Sequence, residues 1–187
     1  MICKNSVLPE ALSTARQIQD KHSRAQALKA LADKLPSVLP EALSTARQIQ
    51  DEYSRTQALI GLADKLPSVL PEALSIATQI QDESDRTMLI GLADKLPPEL
   101  LPEALSTARQ IQDEYRRAVA LKALADKLPS VLPEALSTAR QIQDKHSRAQ
   151  ALKALADKLP SVLPEALSIA TQIQDEYGRT KVLIGLV

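Results

Sequence analysis

Apolar residues recur along the chain with the period of an α-helix. From Leu39 to Leu66 they form two stripes that a short polar connection around Asp51 separates. The stripes comprise Leu39, Ala42, Leu43, Ala46 and Ile49, and then Ala58, Leu59, Leu62, Ala63 and Leu66. Because residues three and four positions apart share one helix face, each stripe predicts a helix, of about 13 residues. Runs of β-branched residues with a period of two are absent from the sequence, so no strand is predicted.

The same pattern returns every 31 residues, marked each time by the pentapeptide LPEAL. The copies cover 8–38, 39–69, 70–100, 101–131, 132–162 and 163–187, after a partial leading repeat over 1–7. One hairpin of two helices cannot bury both of its apolar stripes, but stacking each hairpin on the next buries them in a continuous core. The sequence therefore predicts an all-α fold, an αα-hairpin solenoid of six repeats that forms a single domain over 1–187.

Residues that favour helix ends fit this scheme. Pro40 falls in the first turn of the first helix, where its missing N–H costs no hydrogen bond, and Ser37 just upstream is a candidate N-cap. Asp51 is the natural N-cap of the second helix, and Pro67 ends that helix.

Composition narrows the possible functions. The 187 residues carry 23 basic and 23 acidic side chains, so the formal net charge is zero, which argues against a general electrostatic grip on nucleic acid. With 3 Tyr and neither Phe nor Trp, the core must consist of Leu, Ala, Ile and Val. No apolar run has the length of a membrane span, and the first residues do not form a signal peptide, so we expect a cytoplasmic protein. One Cys, Cys3, and 2 His predict neither a structural metal site nor a disulfide framework, and we expect no cofactor.

Two copies, Leu8 to Val38 and Leu132 to Val162, are identical at all 31 positions. Such identity indicates recent duplication, gene conversion or design, and it leaves open whether the chain is natural, a fragment of a longer array, or engineered. The third copy lacks one residue after Arg86 and gains one in PPELLP, which favours a natural origin. No polar terminal cap is evident, so a longer array or association through open ends is expected.

The repeated unit LPEAL…IQDEYSRAQAL…LADKLP resembles α-solenoid families over essentially the whole chain. It is similar to a short-unit relative of tetratricopeptide and HEAT-type repeats, and to 31-residue arrays of large bacterial, notably cyanobacterial, proteins. The resemblance implies a superhelical scaffold. In the bacterial proteins, such arrays accompany signalling or nucleotide-switch domains. The unit departs from the tetratricopeptide pattern, which is 34 residues long and has Trp, Tyr and Phe landmarks.

Two polar columns run through the second helices. In one, an Asp precedes an Arg by four residues in every copy, as in Asp51 and Arg55, which predicts an N-cap and an i,i+4 ion pair, or alternatively an anion-binding row. In the other, an aromatic or imidazole ring occupies the first turn in five of the six copies. This column reads His22, Tyr53, Ser84, Tyr115, His146 and Tyr177, and it either binds a peptide or covers the hairpin turn.

A variable column on the second helix gives the main candidate for a partner-binding surface. It reads Lys29, Ile60, Ile90, Lys122, Lys153 and Ile184, and Gly follows each Ile. Ile60 and Ile90 predict a small apolar patch flanked by Lys29 and Lys122; the alternative is that the Ile side chains pack between repeats. The predicted partner-binding residues are Lys29, Ile60, Ile90, Lys122, Lys153, Tyr53 and Tyr115.

The first helix carries a linked exchange, in which Thr45 and Arg47 become Ile76 and Thr78, and later Ile169 and Thr171. It indicates either a packing adjustment or a contact face between arrays. No Gly-rich phosphate loop or nucleophile constellation is present in the sequence. We therefore predict a protein- or peptide-binding scaffold that is not an enzyme. The alternative is a structural module that self-assembles end to end or side by side.

Overall fold

The computed structural model of the chain describes residues 4–80 and 92–186, with side chains from Val7 onward in the first range. Over these residues the structure consists of helices and turns and contains no strand, which confirms the predicted all-α helical-repeat fold. The chain divides into two compact units, Met1–Ile80 and Gln81–Val187. A single domain over 1–187 stays a prediction. The shortened segment of the third copy lies outside the described residues.

A first helix is described in all six repeats and a second helix in all but the third, and a short 3₁₀ turn precedes most first helices. The first unit contains α1 (Lys4–Gln17), α2 (Lys21–Ala32), α3 (Leu39–Arg47), α4 (Glu52–Leu62) and α5 (Leu70–Gln79). The second unit contains α6 (Leu101–Arg109), α7 (Glu114–Leu124), α8 (Leu132–Gln141), α9 (Lys145–Ala156), α10 (Leu163–Thr171) and α11 (Glu176–Ile184). The 3₁₀ turns are Pro36–Val38, Pro67–Val69, Pro98–Leu100, Pro129–Val131 and Pro160–Val162.

Within each unit the hairpins stack in chain order. A second helix packs against the first helix of its own repeat and against the first helix of the following repeat, as α2 does with α1 and α3, and α9 with α8 and α10. Second helices of successive repeats also contact each other, as in the pairs α2–α4, α7–α9 and α9–α11. This arrangement is the one that the two apolar stripes require, because each stripe finds its partner on a neighbouring hairpin.

Small side chains form much of the core. Ala42 and Ala46 on α3 are completely buried, and so is Leu59 on α4. Because alanine has only a methyl group, buried alanines allow helices to pack closely without aromatic residues to fill the space between them. Thr56 is also completely buried, and its hydroxyl donates to the carbonyl of Glu52 at 2.8 Å, so its polar group is satisfied inside its own helix.

Aspartate caps begin the second helices, as predicted. Asp51 accepts a hydrogen bond of 2.7 Å from the backbone N–H of Ser54, in extended backbone geometry. The same contact to the residue three positions on is made by Asp20, Asp113, Asp144 and Asp175. Hydrogen bonds from Ser54 hold the pKa of Asp51 below its usual value, and those from Ser147 do the same for Asp144.

The predicted cap of the first helix is wrong. Ser37 lies inside the 3₁₀ turn Pro36–Val38, and Val38 occupies the N-cap position of α3 without a side-chain hydrogen bond. The turn leads directly into the helix, since Val38 already has helical backbone angles (φ −85°, ψ −7°). The 3₁₀ turn thus takes the place of a polar cap, and α3 itself is shorter than predicted, at 9 residues.

Candidate functional site

In the first unit, Lys29 and Ile60 of the predicted surface lie on neighbouring second helices. Lys29 is exposed on α2, and its side chain lies over Gly61 of α4, next to the half-buried Ile60. A methyl group on Gly61 would stand 3.0 Å from the ammonium nitrogen Nζ of Lys29. Tyr53, about two helix turns nearer the start of α4, is 41% exposed. The glycine thus leaves room for a lysine from the preceding repeat beside an isoleucine.

In the second unit, Lys122 and Lys153 are half-buried on α7 and α9. Lys153 lies against Gly185 of the following repeat, in the same way as Lys29 lies against Gly61. Tyr115 donates its hydroxyl to Oε1 of Gln150 at 3.2 Å, and Nε2 of Gln150 lies 2.6 Å from Nε2 of His146. The ring columns of two neighbouring repeats are therefore connected through one glutamine.

Lys153 and Tyr115 also line one open depression of about 370 Å³. The residues around it are Tyr115, Gln150, Lys153, Ala154, Lys181 and Val182. Sequence analysis missed Lys181, although a signal was present: the equivalent position is glutamine in three other copies, at Gln26, Gln57 and Gln150. Ile90, the remaining predicted site residue, lies outside the described residues.

The rings of the Tyr/His column differ in exposure. Tyr177 is 78% exposed, whereas Tyr115, His22 and His146 are half-buried. His22 and His146 each lie 2.6 Å from the amide nitrogen of the glutamine one turn later, Gln26 and Gln150 respectively. The column therefore presents tyrosine rings and hydrogen-bonded imidazoles from the first turns of the second helices.

The predicted ion pair of the Asp–Arg column is wrong at Arg55, Arg148 and Arg179, which bond to backbone carbonyls instead. Arg55 donates from Nη1 to the carbonyl of Ile49 at 3.0 Å, and Arg148 donates in the same way to Ile142 at 3.0 Å. Arg117 and Arg179 reach the carbonyls of Ile111 and Ile173. These carbonyls follow the last turn of a first helix, where backbone acceptors lack helical partners. The column therefore closes the connection between the two helices of a hairpin.

A second set of charges, absent from the predictions, joins the first helices of consecutive repeats. Arg47 donates to both carboxylate oxygens of Glu72, with its shortest contact, from Nη2 to Oε2, at 2.7 Å. The same pair recurs 25 residues apart at Arg16–Glu41, Arg109–Glu134 and Arg140–Glu165. Hydrogen bonds from the arginines hold the pKa values of Glu41, Glu134 and Glu165 below the usual range. We call these four pairs the arginine–glutamate row.

The exchange of Thr45 and Arg47 for Ile76 and Thr78 touches both packing and this row. Thr45 is buried and its hydroxyl donates to the carbonyl of Glu41, so its column packs inside the unit. Thr78 stands where the row has an arginine, and its hydroxyl donates to the carbonyl of Ser75. Thr171 is bonded in the same way, to Ser168. The exchange thus replaces the arginine of the row with threonine, and it replaces the threonine of the packing column with the larger isoleucine.

Lysine–aspartate pairs join the ends of consecutive second helices. Lys65 lies 2.5 Å from the carboxylate of Asp33, and Lys158 pairs with Asp126. The ammonium of Lys65 lowers the pKa of Asp33. Within 4–80 and 92–186, no three His, Cys, Asp or Glu side chains are grouped so that they could hold a metal ion. No helix in this part of the chain combines the length and the apolar character that crossing a bilayer requires.

Comparison of the chain with protein-family models, curated proteins and solved structures found no match.

Proposed function

We propose that the protein is a non-enzymatic scaffold that binds a protein or peptide along the outward faces of its second helices. The observation that carries this proposal is that charged side chains pair with each other on the first-helix side of the hairpin more than on the second-helix side. Side chains of the first helices neutralise each other in the arginine–glutamate row. Side chains of the second helices include exposed tyrosines and, among the described residues, lysines without an ion-pair partner.

The first-helix side offers little for a partner to bind. Each glutamate of the row already accepts hydrogen bonds from an arginine, for example Glu72 from Arg47 at 3.0 Å and 2.7 Å. A partner that bound there would have to replace a bidentate contact that the arginine and the carboxylate already make.

The second-helix side carries lysines without an ion-pair partner among the described residues, and it also carries exposed tyrosine rings. Among the described residues, no carboxylate lies within 4.0 Å of the ammonium groups of Lys29, Lys122 or Lys153. Tyr53 and Tyr177 expose rings that provide apolar area and a hydroxyl at a small cost in side-chain entropy. Within each unit, packed second helices that present such residues suit an extended protein segment, because a folded surface needs little ordering on binding.

We also propose a structural class and a cellular location for the chain. We assign it to a tetratricopeptide- or HEAT-like class of bacterial scaffold and to the cytoplasm, on the resemblance of its 31-residue unit. Nucleic acid is a poor candidate partner, because the formal net charge is zero and aspartates such as Asp33 follow the lysine column by four residues. Membranes and cofactors have no part in the proposed function.

The test is selection of binding peptides from a displayed random library on the full chain. Enriched peptides are then measured against a variant of the second-helix side, Tyr53→Ala with Ile60→Asp, and a matched variant of the first-helix side, Arg47→Gln with Glu72→Gln. We expect binding to be lost in the former and kept in the latter. No enrichment at all, or loss only in the first-helix variant, would contradict the proposal.

Exposed leucines favour self-association as a second candidate function. Leu167 on α10 is 48% exposed and Leu163 is 39% exposed, whereas their counterparts on α5, Leu74 and Leu70, are 0% and 3% exposed. A shallow groove of about 570 Å³ on α1 and α2 is lined by apolar residues that include Val7, Ile18 and Leu31. Docking of one face onto the other would bury the surfaces that neighbouring hairpins bury elsewhere. Light scattering across concentrations decides this case, since a mass of 20.3 kDa at all concentrations would exclude self-association.

A further inference from the structure

The depression between α7, α9 and α11 combines two lysines with an apolar floor. Lys153 and Lys181 line it together with Ala154 and Val182, and its volume is about 370 Å³. All of these residues belong to the second unit, and three consecutive repeats contribute to the lining. We call this depression the lysine pocket. Its volume is at the lower end of what small-ligand sites have, which suits one or two side chains of a larger partner.

The two lysines bring positive charge to the depression, and the nearest acidic residues along the chain, such as Asp157, do not line it. No acidic residue lines the lysine pocket, and within the described parts of the chain neither Lys153 nor Lys181 has a carboxylate within 4.0 Å. Asp126, the aspartate that follows the lysine column on α7, is paired with Lys158. Two lysine side chains that line one concave surface both attract an anion to it.

The other polar groups of the pocket are already engaged. Tyr115 donates its hydroxyl to Oε1 of Gln150, and the amide nitrogen of Gln150 lies 2.6 Å from Nε2 of His146. These contacts fix the tyrosine ring and the glutamine at the wall of the pocket. The groups left to bind a ligand are therefore the side chains of Lys153 and Lys181, the tyrosine ring and the apolar atoms of Ala154 and Val182.

We propose that the lysine pocket binds a carboxylate side chain of an acidic peptide segment, which names the partner class for the scaffold function proposed above and rests on it. A glutamate side chain matches the lining, because its methylene groups would contact Ala154 and Val182 while its two oxygens meet Lys153 and Lys181. Nucleic acid fits less well, since it needs a continuous basic path, whereas Asp144 and Asp175 border the neighbouring depression. Lys181 makes this pocket specific to the sixth repeat, because no other copy has lysine there.

The test measures binding of a fluorescent glutamate-rich peptide to the full chain by anisotropy at low salt. Lys181→Gln is the main variant, since glutamine occurs at this position in other copies and preserves the helix. Lys153→Gln is the second variant, and Lys34→Gln removes one exposed lysine from the first unit as the matched charge control. Circular dichroism verifies that each variant is folded. A glutamine-rich peptide, a phosphoserine peptide and a single-stranded oligonucleotide of equal length serve as comparison ligands.

We expect Lys181→Gln and Lys153→Gln each to weaken binding of the glutamate peptide about fivefold or more, and Lys34→Gln to change it less than about twofold. The glutamine peptide should not bind. Equal affinity of Lys181→Gln and wild type overturns the proposal, and so does tighter binding of the oligonucleotide or the phosphoserine peptide. If library-selected peptides bind the second helices but the glutamate peptide does not, the lysine pocket fails while the scaffold function stands.

Discussion

Arg47 and Glu72 lie on the first helices of consecutive repeats, and Nη2 of the arginine is 2.7 Å from Oε2 of the glutamate. Their side chains are 54% and 33% exposed, so water weakens the attraction between the charges. The pair nevertheless links two helices whose main stabilising contacts are with the second helix between them. Its contribution is therefore better described as alignment of neighbouring repeats than as a large part of the stability.

A double-mutant cycle on this pair gives the first prediction. With Arg47→Ala, Glu72→Ala and the double variant, we expect a coupling free energy of about 0.2–1 kcal/mol at low salt. The coupling should shrink at high salt, because mobile ions screen exposed charges. Urea unfolding at two salt concentrations measures it. A coupling well above this range, or one that salt leaves unchanged, would show that the pair is more shielded than its exposure indicates.

The second prediction concerns acid. Arg140 lowers the pKa of Glu165, and Arg109 lowers that of Glu134. A carboxyl group with a lower pKa when folded contributes stability above its unfolded pKa and loses it as the pH falls through the folded pKa. The free energy of unfolding should thus be nearly constant from neutral pH to about pH 5 and fall below about pH 4.

Urea unfolding over a pH series tests this in wild type and in Arg140→Gln, which should show a shallower decline. The matched control is Arg116→Gln, since Arg116 has no carboxylate within 4.0 Å in the part of the chain that the structure describes. An equal decline in wild type and Arg140→Gln would remove the row as a source of the acid sensitivity.

The third prediction compares two leucines of the second unit. Leu152 on α9 is completely buried, and Leu167 on α10 is 48% exposed. Leu152→Ala should lower the free energy of unfolding by about 2–5 kcal/mol, because it removes buried area and leaves a cavity between packed helices. Leu167→Ala should cost less than about 1 kcal/mol. Chemical denaturation of the two variants measures the difference, and comparable losses would mean that Leu167 is covered in solution.

The fourth prediction concerns Gly61 inside α4. Gly61→Ala should raise the free energy of unfolding by about 0.5–1 kcal/mol, because alanine loses less backbone entropy in a helix. The nearest atom to the new methyl group would be Nζ of Lys29 at 3.0 Å, which is the far end of a flexible side chain and moves at little cost. Thermal melting of Gly61→Ala, alone and with Lys29→Ala, measures the gain. A lower melting temperature in the single variant that Lys29→Ala restores would reveal a stricter packing role for that lysine.

Features within one helix were predictable from the sequence, and features between repeats were not. The apolar period located the helices, and Asp51 identified the start of α4, because capping depends on residues three positions apart. Ser37 was misassigned because a 3₁₀ turn competes with a capped start, and the motif alone does not distinguish them.

The contacts of the arginines show the same limit. Asp51 precedes Arg55 by four residues, a spacing that favours an ion pair. The side chain of Arg55 instead turns back to the carbonyl of Ile49. Arg47 and Glu72 are 25 residues apart, a separation that no helical period predicts. Lys181 required knowledge of which three second helices surround one depression. Only the packed repeats bring these side chains together.

The regular spacing of the arginine–glutamate row has a consequence for genes that lose or gain whole repeats. Arg109, Glu134, Arg140 and Glu165 are placed so that removal of residues 132–162 would put Arg109 at the same distance before Glu165 as it now has before Glu134. Unequal recombination between near-identical copies would therefore restore an arginine–glutamate pair between the two repeats that become neighbours. Whole hairpins can thus be gained or lost while the pair between the repeats that become neighbours is kept. Single substitutions such as that at Lys181 then make one copy different from the others.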